Sequence, residues 1–186
     1  MGRSRSPTRG SEPPGGSAPL VGVDRAVVRR AQRGDAAALE AVLRDLAPYL
    51  GRICGAIALD AGDDALQEAM VAVTRNLTTL REPDALRGWA RRIAVREAVR
   101  AAAGGRSVPV DPGRLGPAAS VPDGATAVEV RAVLDALAPE QRAVLVLRHL
   151  DGLDEAEMAE VLGVARGTVK SRLHRARAAF RERWTA

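Results

Sequence analysis

From residue 39 onward the apolar positions of this chain recur at helical spacing. Leu39, Leu43, Leu46, Leu50, Ile53 and Ile57 fall at i, i+4, i+7, i+11, i+14 and i+18, which lines them along one stripe of a long helix. Asp35, just after Gly34, is positioned to cap its start, and Pro48 predicts a local kink. A second helix is predicted over "DDALQEAMVAVTRNL", with Leu66, Met70, Val73 and Leu77 turned inward and Asp63, Asp64, Gln67 and Glu68 turned outward. A third runs from about Pro83 to Ala103. It puts Trp89 and Ile93 on one side and Arg92, Arg96 and Arg100, at i, i+4 and i+8, on another. No strand alternation competes with these patterns.

A second helical block lies nearer the C-terminus. Val130, Val133, Leu134 and Leu137 mark an amphipathic helix, and Pro139 sits at the first turn of the next, which ends near Asp151 and Gly152. Asp154 and Glu157 have capping-box spacing and open a short helix, "EAEMAEVLG", that stops at Gly163. A tight turn, "VARG", leads into "GTVKSRLHRARAAFRERW". On a helix, Val169, Leu173, Ala176 and Phe180 of this stretch share the core face. Lys170, Ser171, His174 and Arg175 share the exposed one, with Arg166 and Thr168 at the leading turn. A short helix, a tight turn and a basic second helix make a helix-turn-helix, whose second helix enters the major groove by its N-terminal residues. Solubility and the helix dipole account for Arg177, Arg181 and Arg183 near the C-terminal end. They do not account for Lys170, because a base in the first turns opposes the dipole.

Two stretches interrupt the periodicity. Residues 1–21 are polar and rich in Pro, Gly and Ser, which predicts a disordered tail, and residues 104–124, "GGRSVPVDPGRLGPAASVPDG", predict a flexible linker. The expected fold is therefore all-α, with two small helical domains at 22–103 and 125–186, the second a helix-turn-helix. A formal charge of +5 and a pI near 10.7 favour a polyanionic partner. Lys170 is the only lysine, and the planar fork of arginine suits phosphate and guanine edges. Cys54, the single cysteine, cannot form an intramolecular disulfide and fits a reducing cytoplasm. No apolar run is long enough to cross a bilayer and the N-terminus lacks a signal-peptide core, so a cytoplasmic protein without membrane insertion is expected. Asp60, Asp63, Asp64 and Glu68 cluster, but read as a solvated or protein-binding face rather than a metal site. His149 and His174 lie on separate helices, and no glycine-rich phosphate loop is present. No catalytic residue, metal or cofactor is expected.

With these residues in view, "LAPEQRAVLVLRHLDGLDEAEMAEVLGVARGTVKSRLHRARAAFRERW" resembles the promoter-binding domain of extracytoplasmic-function (ECF) sigma factors, the small specificity subunits of bacterial RNA polymerase. "DDALQEAMVAVTRNL" resembles the helix of that family that grips the clamp of the polymerase's largest subunit, and "LRGWARRIA" resembles its segment beside the downstream promoter element. The resemblance implies that Asp63, Asp64, Gln67 and Glu68 bind the polymerase, and that Trp89, Arg92, Arg96 and Arg100 meet the downstream (minus-10) element. It also implies that Arg166, Thr168, Lys170, Ser171, His174 and Arg175 meet the upstream (minus-35) element, while the linker threads the polymerase cleft towards the RNA exit path. The implied partners are core RNA polymerase, through its clamp and flap region, promoter DNA, and an anti-sigma factor. With aromatics at only 2% of the chain, strand opening would rest on a base pocket near the loop "TTLREPDAL". Three positions depart from the family: Arg96 replaces an asparagine in "IAVR", the basic run is thinned to "VRAAAGGRS", and Ala165 stands at the N-cap where serine is usual. The alternative reading is a stand-alone helix-turn-helix regulator, for which the acidic helix and the tryptophan segment have no evident use.

Overall fold

The computed structural model describes residues 23–104 and 124–185, and side chains from residue 127 onward in the second stretch. The tail expected over 1–21 lies outside the described residues. So does the expected linker, apart from its end glycines, which close one helix and open the next. Among the described residues the fold is all-α: α1 (Arg25–Gln32), α2 (Ala36–Ala58), α3 (Gly62–Asn76), α4 (Leu86–Gly104), α5 (Gly124–Asp135), α6 (Pro139–His149), α7 (Glu155–Leu162) and α8 (Arg166–Trp184).

Helix α2 is the axis of the first block. Asp35 caps it, its carboxylate accepting from Ala38 N at 3.0 Å, and the helix runs through Pro48 without interruption. Leu46, Leu50, Ile53 and Ile57 are fully buried as the stripe requires, but Leu39 and Leu43 are only half-buried, and Val42, Tyr49 and Cys54 complete the inner face. On α3 the buried line is Ala65, Ala69 and Val73 leading to Leu77, while the larger Leu66 and Met70 flank it half-buried. The sequence pattern weights large apolar residues, whereas packing of α3 against both α2 and α4 leaves room only for small ones where backbones come close. Gly62 is the extreme case, since a Cβ there would lie 2.8 Å from Gly55 Cα. The chain enters this corner through Leu59, which has a φ of 54°, a left-handed conformation that a leucine adopts only at a cost.

The helix α1 has too few residues for its periodicity to have stood out. It pins the segment between α3 and α4: Gln32 Nε2 donates to the carbonyls of Leu77 (3.0 Å) and Leu80 (2.6 Å), and Arg25 Nε donates to Asp84 at 3.2 Å.

In the second block α6 and α8 form the core and α7 closes it. Asp154 accepts from the amides of Ala156 (2.7 Å) and Glu157 (2.9 Å), and Glu157 accepts from Asp154 N at 2.8 Å, so the capping box is complete. Those amides, Glu157 first, hold the Asp154 carboxyl below the usual carboxylate range. Gly163 ends α7 at a left-handed φ of 64°, where a side chain would be strained. Met158, Val169, Leu173 and Ala176 lock α7 and α8 together. The two blocks also touch: α6 packs on α2 and α4, and α7 packs on α4, in one continuous buried cluster. That packing was not visible in the sequence.

Candidate nucleic-acid interface

Helix α8 carries its bases as the periodicity required. Val169, Leu173 and Ala176 are buried, and Phe180 is half-buried and stacked on Trp184 with ring centroids 5.9 Å apart. Arg166, Lys170, Ser171, His174 and Arg175 are exposed on the opposite side, while Thr168 is half-buried at the first turn. Ala165 occupies the N-cap and offers no side-chain acceptor to the first amides. The Ser171 hydroxyl donates to Thr168 O at 3.0 Å, which ties it to its own helix until a better acceptor arrives. Arg166 Nε lies 3.5 Å from Glu155, joining the start of α8 to the start of α7. Among the described residues Lys170, His174 and Arg175 make no carboxylate ion pair, and Lys170 and His174 line a shallow groove with Glu155, Leu173, Arg177 and Arg181. Lys170, His174 and Arg175 can meet phosphate or base edges without first giving up a carboxylate partner.

Helix α4 is arranged differently. Trp89 is half-buried against the core, and Arg92, Arg96 and Arg100 are exposed, yet each arginine has an acid beside it. Arg92 lies 3.6 Å from Glu160 of α7, Arg96 lies 3.4 Å from Glu97, and Arg100 lies 2.6 Å from Glu97 and 3.8 Å from Glu68. Glu97 is buried beneath Arg96 and Arg100, the two arginines it pairs with. Helix α3 presents Asp63, Asp64, Gln67 and Glu68 to solvent as expected, with Glu68 bridging to α4 through Arg100. No group of three or more His, Cys, Asp or Glu among the described residues is arranged to hold a metal.

Sequence reasoning missed the residues at the seam between the blocks. Asp151, in the turn after α6, accepts from Tyr49 OH at 2.8 Å and from Arg91 at 2.9 Å, and the Arg87 guanidinium sits 4.6 Å over the Tyr49 ring. Burial, with Asp151 adding to it, pushes the Tyr49 hydroxyl up to about 12. Arg142, which is 5% exposed, donates from Nε to Ile57 O at 2.6 Å and from NH1 to the carbonyls of Leu134 and Leu137, each at 3.2 Å. Its guanidinium thus satisfies carbonyls left over at the carboxyl ends of both α2 and α5. The only available signal was a charged residue inside the apolar run of α6.

The chain matches two family descriptions, "Sigma-70 region 2" over residues 38–107 and "Sigma-70, region 4" over residues 127–180. It is 30% identical over 178 residues to the ECF RNA polymerase sigma-E factor of Escherichia coli K12, covering 84% of this chain and 92% of that protein. It is 38% identical over 133 residues to the ECF RNA polymerase sigma factor SigM of Mycobacterium tuberculosis, covering 69% of this chain and 66% of SigM, just under two thirds of that relative's length. Among solved structures, CnrH in complex with the cytosolic domain of CnrY is similar, with a TM-score of 0.59 and 23% identity over 86% of this chain and 96% of that one. So is the sigma factor RpoE in complex with the anti-sigma factor NepR from Bartonella quintana, with a TM-score of 0.59 and 20% identity over 79% of this chain and 96% of that one. The chain belongs to the ECF family of RNA polymerase sigma factors, a class that directs promoter-specific initiation of transcription.

Proposed function

We propose that this chain binds core RNA polymerase in the cytoplasm and directs it to promoters carrying an upstream and a downstream element. Residues 22–103 would form the domain that holds the clamp through Asp63, Asp64, Gln67 and Glu68 and meets the downstream element through Trp89, Arg92, Arg96 and Arg100. Residues 125–186 would form the domain that reads the upstream element through Arg166, Thr168, Lys170, Ser171, His174 and Arg175, with 104–124 running between them. The chain supplies no catalytic group in this reading; nucleotidyl transfer belongs to the polymerase. An anti-sigma factor is a further partner of the proposal, in keeping with the complex of RpoE with the anti-sigma factor NepR.

The observation that carries the reading is the exposed arc of α8 in which Lys170, His174 and Arg175 make no carboxylate ion pair among the described residues, set against the buried Val169, Leu173 and Ala176. Adding the chain to core polymerase on genomic DNA and mapping transcript starts tests it. Defined starts that depend on the chain support it. A chain that shifts DNA alone, and adds no start to core enzyme, is instead a stand-alone regulator.

A further inference from the structure

The connection between α3 and α4 takes its shape from a part of the chain far away in sequence. Burial recurs at every third residue, at Leu77, Leu80, Pro83 and Leu86. The pairs between these pegs, Thr78 and Thr79, Arg81 and Glu82, Asp84 and Ala85, are all exposed. Leu77–Thr79 and Pro83–Ala85 are single 3-10 turns, and the backbone joining them is extended, with a ψ of 110° at Leu80 and 109° at Glu82. Extended backbone outside a sheet has no ladder of its own, so a carbonyl it turns inward needs a donor from another element.

Gln32 of α1 is that donor. Its Nε2 reaches Leu77 O at 3.0 Å and Leu80 O at 2.6 Å, across 45 and 48 residues of sequence. Both neighbours are acceptors, so only the NH2 end of the amide fits, and both of its hydrogens are used. Two turns earlier on the same helix, Arg25 donates to both oxygens of Asp84, at the far end of the connection. Val28 and Ala31, buried between these two holds, fix α1 in the core. The exposed pairs offer hydroxyls, a guanidinium and carboxylates, and no aromatic side chain lies between Leu77 and Leu86. A nucleobase lifted from its stack against this surface is therefore selected by hydrogen bonds to its edge rather than by stacking. Hydrogen bonds weaken steeply with misalignment, so selectivity depends on how firmly the connection is held.

We propose that Gln32 is a positioning residue for base selection at the downstream element. Without touching DNA, its amide sets the spacing of the Leu77 and Leu80 carbonyls, and through them the direction in which Thr78, Thr79, Arg81 and Glu82 present their polar groups. Arg25 does the same, less tightly, for Asp84, since that pair lies in solvent. The inference rests on the sigma-factor reading for its DNA target and adds to it a determinant outside the residues assigned to DNA.

The test uses the full chain with core polymerase on a promoter mapped from its own transcripts. Gln32→Leu keeps the bulk of the side chain and removes the donor, whereas Gln32→Lys keeps N–H donors on a stem of similar reach. Gln32→Leu should lower strand opening on duplex DNA, read by permanganate reactivity of unpaired thymines, by about three- to tenfold. It should also flatten the ranking of single-base variants of the downstream element, and leave the ranking of upstream-element variants as it is in the parent. Gln32→Lys should recover much of the downstream ranking. Circular dichroism and the thermal midpoint check that each variant folds. If Gln32→Leu does not fold, Arg25→Gln, an exposed change, takes its place and should shift the downstream ranking in the same direction by a smaller factor. A variant that folds and opens every downstream sequence less by one common factor, or ranks them as the parent does, overturns the positioning role. A parent chain that starts no transcripts with core polymerase overturns the sigma-factor reading itself, and this inference with it.

Discussion

Helices α4 and α8 both carry a row of bases, and their surroundings make them different instruments. On α8, Lys170, His174 and Arg175 face open solvent without acidic partners among the described residues, and the helix rests on a buried apolar face of its own. On α4, Arg91, Arg92, Arg96 and Arg100 each have a carboxylate within ion-pair distance, two of those acids belonging to the other block. A base held by an acid must exchange one partner for another when DNA arrives, so its net contribution to affinity is small, whereas an unpaired base loses only water. The same row of positive charge is therefore open to solvent in one place and already paired with acids in the other.

The largest effect should come from removing the support of α8. Met158 is fully buried between α7 and α8, and Met158→Ala should cost about 2–5 kcal/mol. The loss is expected as a lower thermal midpoint and lost binding to upstream-element duplex. If upstream binding survives at full strength, α8 does not depend on its packing and the comparison fails at its base.

Next in size is the reading itself. Arg175→Ala should lower transcription from the native promoter and flatten the ranking of upstream-element base variants by roughly 1–3 kcal/mol, while Arg96→Ala should weaken all variants alike. Run-off transcription over a panel of both elements separates the two. A base-specific effect of Arg96→Ala would make α4 a reader as well.

Glu97→Gln sharpens the contrast from the other side. Releasing Arg96 and Arg100 from their shared acid should steepen the dependence of log affinity on log salt by about one unit in the free chain. A salt titration by fluorescence anisotropy checks it. An unchanged slope would mean that Glu97 does not restrain the stripe.

Smaller again are the caps of the helix-turn-helix. Ala165→Ser supplies the missing N-cap acceptor of α8 and should stabilise the C-terminal block by about 1 kcal/mol in denaturant unfolding. Asp154 already caps α7, and its folded-state carboxyl is held below its ordinary value. Its contribution is therefore present above the ordinary carboxylate range and is lost as pH falls through the lowered value. Asp154→Asn should flatten that acid-side loss in a pH series of melting curves.

Much of this molecule was legible in the sequence because it is local. Asp35, the Asp154–Glu157 box, Pro139 and Gly163 mark their helix ends through bonds spanning a few residues, and the inward face of α8 follows from a period of 3.6. The chain alone determined the helices after α1 and which side of α8 is charged. What it could not carry was the partner of each charge. Tyr49 and Asp151 are 102 residues apart, Arg142 and Ile57 are 85 apart, and Arg91 and Asp151 are 60 apart. Nor could periodicity show that α3 would turn Ala65 and Ala69 inward in preference to Leu66 and Met70, since that depends on how closely α2 and α4 approach it. Helical spacing constrains residues within a turn or two of one another. The packing of α6 and α7 onto α2 and α4 brings distant carboxylates to arginines that look free in the sequence, so only the tertiary structure decided that α4 is occupied and α8 is open.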